Sequence, residues 1–318
     1  MSAPANAPAT APAAASGAPG NNAAPAATPG RRRDLRSTLG VVIVAGFALV
    51  ALVGPLLVGD PTAYVGAPLE PPSAAHWFGT TGQGQDVLAQ TVVGARTTLL
   101  VGAIVGFLVV LVGAIVGAAA AFFGGVVDAV LSLVVNVSLV MPGLPLIVVI
   151  AAFLPPGPVT MAVVLALTGW PWHARVVRAQ VASLRRRDFV AAATVSGEPA
   201  WRIVVVELLP NLAALLGSSF IGATLYAVGA QVGLEFLGLG DLNAVTWGTN
   251  LYWATNDSAL LTGSWWTFVP TGLGVATLGF GLALLGFALD ERANPRLAAS
   301  TGTGPGPQPT PVRRRALD

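Results

Sequence analysis

Long hydrophobic blocks with at most one charged residue each alternate with polar stretches along most of the chain. The first block, residues 39–58, has 20 residues and no charge. A helix of this length spans about 30 Å, the hydrocarbon thickness of a bilayer. Five further blocks follow, at about 99–123, 127–154, 159–177, 212–237 and 266–289. The pattern therefore predicts an all-α, polytopic membrane protein with six transmembrane helices.

The polar segments divide the chain into four parts. Residues 1–30 are mostly Ala, Pro and Gly without charge or apolar periodicity, and they predict a disordered tail. Residues 31–98 are expected to hold the first transmembrane helix and an external loop with a helical piece at about 85–93. Residues 99–297 form the membrane core, which includes a polar loop at 185–211. The polar and Pro-rich stretch 298–318 predicts a second disordered tail.

Composition supports a membrane protein and excludes several chemistries. The chain is 54% hydrophobic and only 9% charged, whereas soluble domains carry about 25% charged residues. It has no cysteine and no lysine, which excludes disulfides, thiolate sites, a Walker A lysine and Schiff-base catalysis. The two histidines, His76 and His173, are separated by two predicted spans. We therefore expect a non-catalytic subunit that binds no metal and no cofactor of its own.

The arginines predict the orientation. Placing the amino terminus in the cytoplasm leaves only Arg96 of the 16 basic residues outside, as the positive-inside rule requires. Both termini are then cytoplasmic. The triplet Arg185, Arg186 and Arg187 could indicate nucleic acid, but a triplet beside a membrane span is better explained by topology and anionic lipid. We predict contact with membrane lipid and none with nucleic acid.

The polar loop 185–211 stands out between the hydrophobic blocks. Its sequence predicts a short helix from Asp188 to Val195, a break at Gly197 and a second helix that starts near Pro199. Asp188 and Glu198 are candidate N-caps. A helix of this kind at the cytoplasmic end of a bundle is either a docking element for another protein or an amphipathic helix lying on lipid.

This loop resembles the coupling loop of binding-protein-dependent ABC importer permeases. The family pattern is a Glu-Ala-Ala triplet, a glycine four residues later and a Leu-Pro whose proline comes thirteen residues after the glycine. The matching positions are Ala191-Ala192-Ala193, Gly197 and Leu209-Pro210, so alanine replaces the glutamate. The resemblance covers roughly residues 39–297 and is closest to the dipeptide/oligopeptide (nickel) permeases. Their other marks are here His76-Trp77-Phe78-Gly79-Thr80, Gly84-Gln85-Asp86, Gly94-Ala95-Arg96, Trp170-Pro171, and Glu235 to Gly240 followed by Trp247-Gly248.

The resemblance implies a fold, partners and a mechanism. It implies the type I importer permease fold in a bacterial plasma membrane, a second homologous permease that shares the translocation path, and an extracytoplasmic binding protein that delivers peptides. It also implies two ATPase subunits, or one two-headed ATPase, which carry the ATP and Mg2+. The implied ATPase-coupling residues are Asp188, Phe189, Ala191, Ala192, Ala193, Gly197, Glu198, Leu209 and Pro210. Two alternatives are open for the missing glutamate: Glu198, Glu207 or the partner permease's loop compensates for it, or this permease couples less tightly.

Other candidates carry two readings each. Met141 and Pro142 interrupt the third span, as a packing kink or as a bend lining the path. Gln231 and Glu235 are polar in the fifth span, where they face the path or stabilise the outer gate. A further group belongs to the external loops and has a structural role or contacts the binding protein: His76, Gly79, Asp86 and Trp247. Glycines 102, 106, 113 and 117 predict close helix packing.

Two other functional classes remain open at this stage. A secondary transporter would ordinarily show two repeated halves and charged midplane residues, and neither is evident in the sequence. A non-transporting membrane scaffold would not need a helix-turn-helix loop with Gly and Leu-Pro at this spacing. The residues do not distinguish a dipeptide, a longer peptide, glutathione or a nickel complex as substrate.

Overall fold

A computed structural model of the chain describes residues 29–141 and 143–293, and within them it is helical without strands. Two isolated bridges, Tyr64 with Gln85 and Thr80 with Asp86, close the loop after the first helix. The helices are α1 (Pro29–Leu57), α2 (Val87–Phe123), α3 (Gly125–Val140), α4 (Gly143–Phe153), α5 (Pro158–Leu184), α6 (Asp188–Val195), α7 (Ala200–Arg202), α8 (Leu209–Asn211), α9 (Ala213–Phe236), α10 (Trp247–Asn256), α11 (Ala259–Thr262) and α12 (Val269–Ala293).

Helix α2 is the central element. It runs without a break for 37 residues, about 55 Å, so the helical piece expected in the external loop is the first turns of this helix. Asp86 caps its start by accepting a hydrogen bond from the Ala89 N–H. The helix ends at Gly124, whose φ is 68° and whose N–H donates to the Ala120 carbonyl at 3.1 Å. The expected boundary at residue 98 therefore falls inside one continuous helix.

The glycines of α2 form two seams where other helix backbones approach. A Cβ at Gly106 would meet Thr224 of α9, including its backbone nitrogen at 3.1 Å. A Cβ at Gly117 would meet the Ala174 carbonyl and, at 2.9 Å, the Arg178 nitrogen of α5. Close packing of small residues is a general means of joining membrane helices. The structure thus gives the glycine stripe its expected packing role, with α9 against one half of α2 and α5 against the other.

Helix α1 packs on the outside of this core, against α12. Glycines make this approach possible too: a Cβ at Gly40 would lie 2.9 Å from the Leu285 nitrogen, and one at Gly281 would lie 2.5 Å from the Ile43 side chain. Phe47 of α1 also meets the Trp247 ring edge-on, with 5.7 Å between centroids. Much of the remaining surface of α1 is exposed and apolar; Leu52, for example, is 76% exposed, as expected for a helix bordered by lipid.

The described helices contain four that are long and apolar enough to cross a membrane. They lie at Leu35–Leu57, Val87–Phe123, Ala213–Phe236 and Trp265–Glu291. The third predicted span, 127–154, is two helices bent by 91°, which count as a fifth span if taken together. The fourth predicted span lies within α5, which has 27 residues. The protein is therefore a helical multi-pass membrane protein, and the count of six stays a prediction.

Three predictions fall on residues outside the described ranges. The two tails expected at 1–30 and 298–318 lie almost wholly or wholly there. So does Pro142, between α3 and α4. The division of the chain into domains likewise stays a prediction.

Candidate coupling site

The short helix α6 begins and ends where the sequence predicts, and its end explains the glycine. The Glu198 N–H donates to the Ala193 carbonyl and the Gly197 N–H to the Thr194 carbonyl, both at 3.1 Å. These are the two hydrogen bonds of a Schellman motif, which needs a left-handed residue after the helix. Gly197 supplies it with a φ of +78°. The four-residue spacing from Ala193 to Gly197 is thus the spacing that a Schellman motif requires between its carbonyl acceptor and its left-handed residue.

The predicted N-caps are wrong. The N-cap of α6 is Arg187, with extended backbone and no side-chain cap hydrogen bond, and Asp188 is the first helical residue. There its carboxylate lies near the positive end of the helix dipole. Pro199 is the N-cap of the next helix. Glu198, one residue earlier, pairs with Arg202 at 2.7 Å, so its side chain braces the second helix from outside.

The inner side of the loop is anchored in a hydrophobic cluster. Val190 is only 3% exposed, and Ala193 packs against the same cluster. Ile203 and Leu208 of the second helix are buried there as well. The cluster also contains residues of α2, α5 and the start of α9: Ala114, Ala118, Ala121, Val177, Val181 and Leu212. The loop therefore rests on three helices that also pack in the membrane core.

The outer side of α6 is exposed and mainly apolar. Ala191 and Ala192 are exposed, Phe189 is 37% exposed and Val195 is 89% exposed. Exposed apolar surface of this kind, on a helix outside the membrane spans, is a candidate contact surface for another protein or for lipid. Of the three alanines that match the family triplet, two lie on this face and Ala193 lies toward the cluster. Ala191, which replaces the glutamate, is on the exposed face.

Leu209 and Pro210 lie at the junction of the loop and α9. The six residues Ile203–Leu208 form a π-helix, closed by the Leu209 N–H donating to the Val204 carbonyl. Pro210 has no N–H to donate four residues back, and its ring would crowd that carbonyl. A widened turn before the proline accommodates both effects, and π-turns occur often at functional sites. The side-chain amide of Asn211 then donates to the Glu207 carbonyl at 2.6 Å.

Arginines fasten the base of the loop, which sequence reasoning missed. Arg185 donates to the Ala121 carbonyl at 3.1 Å and lies over the Phe122 ring, so it caps the end of α2. Arg178 of α5 makes two hydrogen bonds to Asp128 of α3, at 2.5 and 2.7 Å. From the sequence, the arginines are assigned to topology and to contact with anionic lipid, and neither of these contacts is predicted. The available signal was their spacing: Arg175 and Arg178 are three residues apart, lie on one face of α5 and can therefore both contact one neighbouring helix, here α3.

At the other end of α2 the external-loop residues form a closed hydrogen-bonded network. His76 Nδ1 lies 3.1 Å from the carboxylate of Asp86, which also caps α2. Gly79 has a φ of +70°, and a Cβ there would meet the Glu70 carbonyl and the Trp266 ring. These contacts favour the structural reading for His76, Gly79 and Asp86.

Trp247 is part of the same end and is fully buried. Its indole Nε1–H donates to the Thr91 carbonyl at 2.9 Å, and its backbone N–H donates to Thr98 Oγ1 at 3.2 Å. Both acceptors are on α2. Because no part of the side chain is exposed, Trp247 is not a contact surface for a binding protein in this conformation, and it joins α10 to α2.

The chain matches the family model of the binding-protein-dependent transport system inner membrane component over residues 110–295. This covers more than half of its length. The chain belongs to this family. Among curated proteins, the permease is 32% identical over 276 residues to the dipeptide transport system permease protein DppC of Bacillus subtilis, covering 84% of this chain and 83% of that protein.

Two further relatives are oligopeptide transport system permease proteins. The OppC protein of Bacillus subtilis is 30% identical over 273 residues, which is 84% of this permease and 87% of that protein. The OppC protein of Mycobacterium bovis is 36% identical over 219 residues, 66% of this permease and 74% of that protein. The resemblance seen in the sequence motifs is thereby confirmed for the family and its type I permease fold.

Of the candidate path residues that the structure describes, two are buried within the permease and one is exposed. Gln231 and Glu235 are buried inside the chain, at 0% and 3% exposure. Glu235 accepts hydrogen bonds from the Gln231 amide at 2.9 Å and from the hydroxyl of Thr246 at 2.5 Å, and thus joins α9 to the start of α10. Met141 is 42% exposed at the end of α3. The structure does not bring Met141 together with the buried pair.

The described part of the permease contains no group of three or more His, Asp or Glu side chains placed to hold a metal ion. Asp60, outside the spans, accepts hydrogen bonds from the hydroxyl and the backbone N–H of Thr62, which lower the pKa of its carboxyl. This pair stabilises the turn after α1.

Proposed function

We propose that this chain is the transmembrane permease subunit of an ATP-driven importer for peptides. It forms the translocation path together with a second, similar permease. The relatives named as dipeptide and oligopeptide transport permeases support the peptide class. The family match argues against a secondary transporter or a non-transporting scaffold.

The partners follow from this role. Two cytoplasmic ATPase subunits, or one two-headed ATPase, bind ATP and Mg2+, and an extracytoplasmic binding protein delivers the peptide. The permease is non-catalytic and resides in the bacterial inner membrane with both termini in the cytoplasm. The distribution of the arginines supports this orientation.

The observation that carries the proposal is the two-sided construction of α6. Its exposed apolar face offers an ATPase a surface, while Val190 on its other side is buried against α2 and α5. Nucleotide-driven closure of the ATPases displaces α6. Because the protein interior is close-packed, the displacement passes to the core helices as a rigid-body movement. The cavity between the two permeases then opens alternately to the two sides.

A pair of matched variants tests the docking face. Val195→Asp places a charge on the exposed face of α6, and Val65→Asp makes the same change on the exposed loop at the other end of α2. We expect Val195→Asp to lower co-purification of the ATPase with the permease at least about tenfold, because the carboxylate would be buried without a partner. Val65→Asp should co-purify like the unmodified protein. Equal co-purification of both variants with the ATPase would contradict the coupling assignment.

A further inference from the structure

A polar cavity of about 400 Å³ lies at the end of the permease opposite the coupling loop. Its wall comes from four parts of the chain: the loop before α2, the first turns of α2, α10 with the segment before it, and the region at the start of α12 with Thr267 and Thr271. Its volume is at the lower end of the range of small-ligand sites, roughly 300–1,000 Å³. The cavity is separate from the coupling site and contains none of the candidate path residues.

Two amide side chains of the wall, Gln90 and Asn250, donate hydrogen bonds to neighbouring parts of the chain. Gln90 donates to the Pro61 carbonyl and to Gln85 Oε1, both at 2.7 Å. Asn250 donates to the Gln90 carbonyl at 3.1 Å. Within the described residues the side-chain oxygens of Gln90 and Asn250 accept no hydrogen bond. Gln90 is also 9% exposed, so its oxygen is an unpartnered acceptor on a buried side chain that lines the cavity.

Asp257 adds the charge. Among the described residues of the cavity wall it is the single acidic one, and none of them is an arginine. The Gly82 N–H donates to its carboxylate, and a Cβ at Gly82 would collide with that carboxylate, so the loop before α2 holds it in place. Burial raises the pKa of the Asp257 carboxyl, against the effect of the Gly82 hydrogen bond. A partly desolvated carboxylate that lines the same cavity as unpartnered amide oxygens favours a ligand with a positive charge and several N–H donors.

We propose that this cavity is a binding site for the primary ammonium group of a small peptide or amino acid, with Asp257 as its counter-ion. An ammonium group brings a positive charge and three N–H donors, and the Asp257 carboxylate offers it a charged acceptor. The amino terminus of a peptide and that of a free amino acid present the same group. The role of this site in transport rests on the proposed function as a peptide importer. Binding to the site can be measured without an ATPase.

Equilibrium dialysis with the full-length permease in lipid nanodiscs tests the site. The probes are radiolabelled dialanine and free alanine, and N-acetyl-dialanine, which has no ammonium group, is the competitor control. We expect saturable binding of dialanine, displaced by unlabelled dialanine and not by N-acetyl-dialanine. Stronger binding of dialanine than of alanine identifies a peptide site, and the reverse identifies an amino acid site. Absence of saturable binding of both probes up to about 10 mM, a weak affinity even for a small ligand, would overturn the proposal.

Variants separate the carboxylate's charge from its packing. Asp257→Asn keeps the shape, removes the charge and should weaken dialanine binding at least about tenfold, since charge-assisted hydrogen bonds are the strong ones. Asp257→Glu restores the charge and should recover part of the affinity. Glu70→Gln is the matched control, because Glu70 is a carboxylate of the same loop that does not line the cavity. Unchanged binding in Asp257→Asn, or equal loss in Glu70→Gln, refutes the assignment. If Asp257→Asn fails to fold by circular dichroism, competition by N-acetyl-dialanine on the unmodified protein decides.

The result is independent of the coupling test. If a variant loses ATPase co-purification and still binds dialanine, the cavity proposal stands and only coupling to the ATPase is affected. Absence of dialanine binding in a permease that couples normally would remove the cavity proposal alone.

Discussion

Substitution of Gly197 measures how much coupling depends on the shape of the loop rather than on its contacts. Gly197 has a φ of +78°, its N–H donates to the Thr194 carbonyl, and an added Cβ would meet nothing within 4 Å. The cost of Gly197→Ala is therefore conformational and not steric, about 1–2 kcal/mol for a left-handed residue with a Cβ. Such a cost changes the ratio of the closed to the frayed terminus about 5- to 30-fold. Gly197→Asn should cost less, since asparagine tolerates this conformation.

Gly197→Pro is the severe member of the series. Proline cannot reach a positive φ and has no N–H for Thr194, so the Schellman motif is lost at a cost of about 3 kcal/mol or more. Because α6 contributes one fully buried residue, Val190, the thermal unfolding midpoint of the permease should change little. ATP hydrolysis by the assembled transporter in nanodiscs, stimulated by its binding protein, should instead fall. The loss should be smallest in Gly197→Asn, larger in Gly197→Ala and largest in Gly197→Pro.

The order of the series is what tests the reasoning. Stimulated ATP hydrolysis equal to that of the unmodified transporter in Gly197→Pro would show that the terminus of α6 has no part in coupling. Equal loss in all three variants would show that the glycine acts by its lack of a side chain at the interface and not by its φ.

Three further predictions concern packing and the missing glutamate. Gly117→Ala should destabilise the permease by about 1–3 kcal/mol, because the Cβ meets backbone atoms of α5. The matched Gly217→Ala has open space around the Cβ and should raise the thermal unfolding midpoint slightly. Destabilisation by both substitutions would contradict close packing of α2 against α5 at Gly117. Trp247→Ala should cost about 3–5 kcal/mol, seen as a lowered midpoint, and a midpoint like that of the unmodified protein would contradict its role between α10 and α2. Ala191→Glu should change stability by less than about 0.5 kcal/mol because the position is exposed, and should raise ATPase co-purification; weaker co-purification would show that the partner fits the alanine.

Elements could be predicted well from the sequence where the backbone needs one particular residue type, here glycine. The bounds of α6 follow from the break at Gly197, and the packing seams of α2 follow from the spacing of its glycines. The N-caps at Asp188 and Glu198 were mistaken, because a charged residue near a helix start fits the cap, the first turn or an ion pair equally well. Only the positions of Arg187 and Arg202 decide among these.

Contacts between distant segments were out of reach for the same reason. Asp128 and Arg178 are 50 residues apart, and Trp247 donates to a carbonyl 156 residues earlier in the chain. Periodicity describes which face of a helix is apolar but not which helix covers it. Glu235 shows the consequence: its place in an apolar span left open whether it faces the path or stabilises the outer gate, and its contact with Thr246 in the following segment could not be predicted.

The continuity of α2 was missed because polarity changes along it while its backbone does not. Near residue 98 the helix leaves the polar loops and enters the apolar core, and a hydropathy pattern records that change of surroundings as a boundary. The structure has Asp86 capping one end of this helix and Arg185 on a carbonyl of the other, at Ala121. The coupling loop and the polar cavity are therefore attached to the two ends of a single rod of about 55 Å. If the two proposed sites communicate through α2, we expect a helix break engineered in its middle to abolish that communication while each site keeps its own contacts.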